Sequence, residues 1–320
     1  MASPNTNYDA ITATTIENRS KELADNVSDN TALLNRMKKR GNMRLIDGGD
    51  VILQELAYAE STNFIRYSGM ETLPIAEQDE FSAAQYNWKQ AATAVVMSGL
   101  DEIKNSGKSK FIDLMEARIT NAERTMKNNI SSDLYSSGTA SDSKQIGGLQ
   151  LLVSDTPTTG TVGNIDAATY SFWQNIMQSA GGLSAGSIQT NMYALWVQLV
   201  RESDSPDLIV ADSTFWRFYN ESLTSNQRFM SPDMAELGFH NVMFQNAPVI
   251  LDGGKGGACP ANHMYFLNTN YLHFCTSSKR NFGSLGGKRF STNQDASVQL
   301  IAWAGNATSS NRSLQGVLKS

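Results

Sequence analysis

The chain has 320 residues, of which 40% are hydrophobic and 18% charged, and its net charge is -5 with a pI near 5.3. That length buries a large core in two or more closely joined domains, and the acidic balance excludes the basic face of a duplex-DNA reader. Two cysteines, Cys259 and Cys275, make no disulfide framework and point to a reducing compartment.

The opening MASPNTNYDAITATT shows no basic segment followed by an apolar core, so no secretory signal is expected. No stretch approaches the roughly 18 apolar residues of a membrane span, and the expectation is folding in the cytoplasm. From Thr15, Ile16, Leu23, Val27, Leu34 and Met37 recur at near-helical spacing. The predicted helix is interrupted around Ser28-Asp29-Asn30, carries Lys38-Lys39-Arg40 at its C-terminus and is capped by Gly41. The basic cluster reads first as helix-end charge and only second as a nucleic-acid contact.

Residues 51–98 change character. Asn63 to Tyr67 and Tyr86 to Gln90 mix aromatic and polar residues as strands do, with Gly69 and Pro74 as breakers between them. Two long strands joined by an irregular tip are expected. A two-stranded ribbon is marginal alone in water, so it must lie against its own domain or a neighbouring chain.

The strongest periodicity runs through residues 109–138. Phe111, Met115, Ile119, Ala122, Met126, Ile130 and Leu134 form one apolar stripe, with Ser109 as N-cap and Gly138 as stop. About 26 residues at 1.5 Å each give a helix of roughly 39 Å, long enough to span a domain.

A Gly/Ser/Thr-rich passage, 136–165, precedes helices expected near Thr169–Ala180 and Ser187–Arg201. A buried strand at 206–211 and a third helix at Ser213–Leu223 follow. Strands are expected at Asn241–Phe244 and Pro248–Leu251 around a Gln245-Asn246 turn. Another runs from His263 to Leu267, breaks at Asn268-Thr269-Asn270 and resumes through Phe274. The tail reads as strands at Ser297–Trp303 and Arg312–Val317. The mixture of helices and strands across 145–265 gives an α+β or α/β unit.

Few residues invite chemistry. Gly107-Lys108-Ser109 lacks the P-loop's earlier glycine, since position 102 is Glu102, and reads as helix initiation. Cys259, His263, His273 and Cys275 have a spacing loosely compatible with tetrahedral zinc, with 273 and 275 on one side of a strand, but match no usual zinc module. Asp252 is a candidate to orient His263. No G-x-S-x-G elbow is present, and the Gly253–Gly257 run reads as a turn. The five tryptophans are dispersed among predicted elements, which favours packing over a base-stacking platform. The reading is of no enzyme, no cofactor and no resident metal.

Taken in order, the pieces resemble the major capsid proteins of tailed bacteriophages with the Hong Kong 97-type fold. The resemblance is carried by DNVSDNTALLNRMKKRG, Asp47-Gly48-Gly49, Tyr58, Tyr67-Ser68-Gly69 and FSAAQYNWKQ. It continues through Asn105-Ser106-Gly107, IDLMEARITNAERTMKNNISSDLYSSG, Ile146-Gly147-Gly148-Leu149, PDLIVAD and the GF…F…PVILD…YFLNTNYL block. It implies an α+β subunit with an N-terminal arm (1–50), an extended β-hairpin loop (51–98) and a peripheral domain (99–146 and 266–320) with a spine helix at 109–135. An axial domain would occupy 147–265. It further implies pentamers and hexamers closing into an icosahedral shell around double-stranded DNA held without sequence-specific binding. Scaffolding, portal and decoration proteins are further partners that the resemblance admits, with no membrane. The location implied is the virion, assembled in the host cytoplasm.

Some relatives cross-link through a lysine on the extended loop, but residues 67–85 contain none. Non-covalent docking is therefore expected, with an acidic tip meeting basic residues of an adjacent subunit. The candidate interface residues are Arg66, Glu71, Glu77, Asp79, Glu80 and Trp88. No long charged helical segment precedes the arm, which favours a separate scaffolding protein. The alternatives are an encapsulin-like compartment shell and, further off, a metal-dependent enzyme.

Overall fold

The computed structural model describes residues 32–100, 114–223, 241–253, 257–281, 283–284, 289–290 and 294–320. The first helix, α1 (Ala32–Lys39), buries Leu33 and Met37, one turn apart, against the main core. Gly41, at φ +73°, lets Asn42 N–H reach back to Met37 O (3.0 Å), which closes the helix. Arg36 and Arg40 then reach Asp207 at 3.4 and 3.1 Å, fastening α1 to the residue that precedes the buried strand Leu208–Ala211. The earlier half of that predicted helix lies outside the described residues.

One six-stranded sheet is built on a single long strand, β15 (Ala296–Ser309). Along one side it pairs antiparallel with β4 (Lys89–Ser98). Along the other it meets β14 (Arg289–Phe290), β13 (Gly283–Ser284) and β12 (Leu272–Ser277) in turn. β1 (Met43–Ile46) forms the far edge, parallel to β12. Helix α2 (Leu114–Asp133), about 30 Å long at 1.5 Å per residue, lies against β4. Ala122, Met126, Ile130 and Leu134 are its buried stripe, as the periodicity predicts. Its predicted N-cap, Ser109, and Phe111 lie outside the described residues. Where α2 ends, Leu149 N–H donates to Leu134 O (2.7 Å), and Gly148 packs so closely on the helix end that no Cβ fits.

The second six-stranded sheet has the order β7 (Ile176–Ser179), β16 (Gly316–Lys319), β11 (His263–Leu267), β8 (Leu208–Ala211), β10 (Ala247–Leu251) and β9 (Asn241–Phe244). Both of its faces are covered, and the two-residue period of a strand sorts its side chains between two cores. Leu208, Val210, Ile250, Tyr265, Leu267 and Val317 join the core shared with α2 and the first sheet. Their neighbours Ile209, Ala211, Val249, Met264, Phe266 and Leu318 join a second core under α3 (Ile188–Leu199) and α4 (Ser213–Ser222). Asp212 caps α4 by accepting from Phe215 N–H (2.8 Å). The two sheets are connected at Asn268-Thr269-Asn270, where Asn268 and Gln315 exchange two amide bonds of 3.0 and 2.9 Å.

Four sequence expectations are corrected. Thr169–Ala180 is not a helix but a short 3-10 turn, Ser171–Trp173, followed by β7, which pairs in parallel with β16. Asn63–Tyr67 forms no strand. The hairpin ladder instead joins β2 (Ile52–Ala57) to β3 (Phe81–Tyr86), and Tyr86–Gln90 spans the junction of β3 with β4. The first tail strand continues six residues past Trp303, and Arg312–Gln315 is a turn ahead of β16. That last strand pairs with β11 in the second sheet.

A ring of polar contacts holds the base of the β2–β3 hairpin. Tyr86 Oη donates to Ser309 O (3.1 Å) and accepts from Ser309 N–H (3.2 Å). Gln85 N–H donates to Gly163 O (2.8 Å) in the turn between β5 (Thr161–Val162) and β6 (Ile165–Asp166). Trp173 Nε1 donates to Val162 O (2.8 Å). Arg312, wholly buried, completes the ring through Leu152 O (2.7 Å), Trp173 O (3.0 Å) and Asn175 Oδ1 (3.2 Å). Burial pulls its pKa down to about 10, so the guanidinium stays charged at neutral pH, its charge met by carbonyl and amide oxygens. Arg312→Met keeps most of the volume but strips the guanidinium from Leu152 O and Trp173 O and leaves Asn175 Oδ1 with Ser154 N–H alone. The expected loss in denaturant unfolding of the free subunit is about 3 kcal/mol or more; a loss below about 1 kcal/mol would contradict the ring's role.

Two further joints titrate in opposite directions. Tyr135, just past α2, donates its hydroxyl to Asp252 at the end of β10, and burial raises Asp252 to about 6. His273 on β12 accepts at Nε2 from Arg44 Nη2 on β1 (3.3 Å); burial, then the Arg44 charge, lowers it to about 4. Asp252 holds its proton more tightly folded than unfolded, so its contribution is complete below pH about 4 and is lost as pH rises through 6. His273 holds its proton less tightly, so its contribution is complete above about 6.5 and is lost as pH falls toward 4. The two largely cancel between pH 7 and 5. Asp252→Asn should therefore expose a loss of about 1–2 kcal/mol on acidification from pH 7 to 5, and His273→Gln a gain of similar size. Urea midpoints at the two pH values measure this, and parallel pH slopes in both variants would refute the assignment.

Candidate assembly interface

The hairpin strands bury alternate residues: Ile52, Gln54 and Leu56 on β2, Ala84 and Tyr86 on β3. Beyond Tyr58, whose N–H bonds Glu80 O (3.1 Å), the chain leaves the core and is exposed as far as β3 except at the half-buried Asn63, Gln78 and Glu80. Local bonds shape this tip. Thr62 N–H donates to Gln78 Oε1 (2.9 Å), Asn63 Nδ2 to Ala76 O (2.8 Å) and Ser68 N–H to Glu71 Oε2 (3.2 Å). Gly69 turns the chain at φ +64°.

The tip carries a set of large apolar side chains in water. Met70 is 97% exposed, Ile75 93% and Phe64 73%, with Tyr67 and Leu73 beside them. Grouped exposure on this scale marks an interaction site. The structure places Glu71, Glu77 and Asp79 exposed on the tip and Glu80 half-buried at its foot. Arg66 is the tip's cation and lies 5.3 Å over the Phe64 ring. Trp88 is not with them. It sits half-buried at the hairpin base, donates Nε1–H to Gly49 O (2.9 Å) and packs on the main core.

A second exposed apolar face escaped the sequence reading. α3 presents Tyr193, Val197 (71% exposed) and Val200 at helical spacing, near Met177 on the edge strand β7. Beside it a groove of about 210 Å³ is lined by Gln189, Tyr193, Tyr219, Leu223, Phe244 and Gln245. The signal was available: residues 167–200 contain no charged side chain, in a chain that is 18% charged. Depletion of charge is a mark of interface cores.

The residues tested for chemistry fall in two separate places: Cys259 bonds the backbone of Asp252 and His263 beside the second sheet, and His273 and Cys275 lie on β12. His263, on the second sheet, bonds Asp155 (3.0 Å), which also takes Lys319 (2.6 Å). Asp252, the expected orienter of His263, is engaged by Tyr135 instead. His273 and Cys275 sit on the first sheet, with Cys275 beside Thr308. Both cysteines are buried and free, and burial pushes both thiols up, away from a reactive thiolate. Among the described residues no three His, Cys, Asp or Glu side chains come together as metal ligands. No helix among them is long and apolar enough to cross a membrane.

No protein-family model and no curated protein matches the chain. Solved structures do. The capsid asymmetric unit of Cyanophage A-1(L) is similar at TM-score 0.69 and 19% identity, over 94% of this chain and 95% of that one. The capsid of the empty GTA particle is similar at TM-score 0.59 and 13% identity, over 99% of each. The SrpI encapsulin complex from Synechococcus elongatus PCC 7942 is similar at TM-score 0.54 and 10% identity, over 98% of this chain and 95% of that one. The α+β fold is the Hong Kong 97-type capsid fold.

Proposed function

We propose that this chain is the major capsid protein of a tailed bacteriophage, a structural subunit without catalytic activity. The observation that carries the reading is a capsid fold matched over 94% of the chain, combined with an apolar loop tip that is exposed among the described residues. In this reading, rings of five and six subunits close into an icosahedral shell around double-stranded DNA, assembled in the host cytoplasm with scaffolding, portal and decoration proteins as accessory partners. Residues 1–50 serve as the arm and 51–98 as the extended loop. The first sheet with α2 is the peripheral domain, and the second sheet with α3 and α4 the axial domain, to which β16 is assigned.

The charge-free outer face of α3 suits contacts between axial domains, where long-lived burial favours apolar side chains over ion pairs. DNA is contained rather than read, in keeping with the net charge of -5. The similarity to an encapsulin supports a second reading, a compartment shell enclosing protein cargo. Nucleic acid inside particles made in the native host separates the first from the second.

Electron microscopy of the expressed chain, with scaffold supplied, should show closed shells or rings of five and six. A monodisperse monomer under all conditions would overturn the proposal. Because residues 67–85 hold no lysine, mature particles should dissolve on a denaturing gel to single subunits. A ladder of covalent oligomers mapping to this loop would contradict non-covalent docking.

A further inference from the structure

We propose that the β1 edge of the first sheet is a contact for the phosphate backbone of nucleic acid, held without regard to sequence. The proposal rests on the shell reading above and names the residues that meet the enclosed duplex.

The net charge of -5 hides a local excess of the other sign. Between Asp252 and Asp295 the sequence holds five lysines and arginines and no acidic residue. Two of them, Lys279 and Arg280, are exposed just past the end of β12. The parallel register pairs Ile46 with Ser277, and Ser278 N–H donates to Ile46 O (3.1 Å), so both cations emerge at the far end of β1. At the near end, the Asn42-to-Met37 bond that closes α1 leaves Lys38 exposed ahead of the strand. Arg44 lies on the strand itself, also exposed, and donates from Nη2 to His273 Nε2 (3.3 Å). Two stretches far apart in sequence thus bring four exposed cations to one edge.

Their surroundings leave the charge unmet. Asp207 takes Arg36 and Arg40, and among the described residues none of the four meets a carboxylate. Arg280 donates instead to Gln90 Oε1 (2.7 Å). Asp47 and Asp50 follow β1 and leave the row net positive. The strand spans about 13 Å at 3.3 Å per residue, which faces roughly four phosphates of one strand at 3.4 Å each. As the sheet's edge among the described residues, β1 also offers backbone N–H groups outside the ladder. Phosphate oxygens accept from lysine, arginine and backbone N–H alike, and such contacts carry no sequence information. Helix-end charge accounts for Lys38, but not for cations on β1 and after β12.

The test is binding of a random-sequence duplex of about 20 base pairs to the free subunit, followed by fluorescence anisotropy. Four phosphate contacts predict an affinity that falls about a hundredfold between roughly 50 and 200 mM salt. Lys279→Glu with Arg280→Glu should cut that salt dependence to about tenfold or less. Arg66→Glu with Lys144→Glu, an equal change of charge elsewhere, should leave it as in wild type. Circular dichroism checks that each variant folds, and the milder Lys279→Gln with Arg280→Gln should show the same reduced salt dependence. Equal salt dependence in the two charge-reversed variants, or no duplex binding by the wild-type subunit, overturns the phosphate contact and leaves the shell reading intact. Wild-type duplex binding with loss of particles in the Lys279 and Arg280 variant would reassign these cations to a neighbouring subunit and also overturn it. A chain that binds duplex as predicted but never assembles would overturn the shell reading alone.

Discussion

The direction in which the extended loop leaves the molecule depends on the ring of buried polar contacts at its base. Tyr86 bonds both backbone groups of Ser309, the β5–β6 turn bonds Gln85 and Trp173, and Arg312 ties Trp173 back to the segment that follows Ser309. A two-stranded ribbon has little stability of its own. Anchored through its buried face and this ring, it becomes a fixed projection. The ring also joins residues far apart in sequence, so it forms only when both ends of the chain are in place. Gly163 shows how tight the joint is: at φ +61° its position leaves no room for a Cβ beside Ala84 and the Tyr86 ring.

Above this base, among the described residues, large apolar side chains are left uncovered most fully on the loop tip and on α3. The tip exposes Met70 and Ile75, and α3 exposes Val197 without a single charge in the helix. Its outward polar residues are uncharged, among them Gln198, and depletion of charge marks interface cores. Both features fit a subunit whose stability is completed by its neighbours.

Much of the architecture could be read from local pattern. The stripe Ala122, Met126, Ile130, Leu134 specifies α2, the Gln245-Asn246 turn specifies the β9–β10 hairpin, and the break at Asn268–Asn270 marks the passage between sheets. What escaped was decided at long range. Phe172, Trp173, Ile176, Met177 and Ala180 fit a helical period, yet Ile176–Ser179 is a strand because Gly316–Lys319, some 140 residues later, pairs with it. The strand expected to end at Trp303 runs on through Gly305, where the Trp303 ring and the Cys275 carbonyl fill the space a side chain would need. Aromatic residues 63–67 read as a strand because exposed contact surface and buried strand share the same composition. The acidic tip was legible because it lacks lysine. The α3 face was missed because its signal is the absence of charge over 167–200, and the packing of Trp88 on the main core was not legible because an aromatic in a loop region looks the same whether it faces a neighbour or its own core.

The account's central claim is that other copies of the chain cover these exposed surfaces. Hydroxyl-radical footprinting of the free subunit and of the assembled particle tests it most directly, since Met70, Tyr67 and Tyr193 are intrinsically reactive side chains that are exposed in the subunit. The account requires all three to lose most of their reactivity on assembly. Particles in which they remain as reactive as in the free subunit would contradict it.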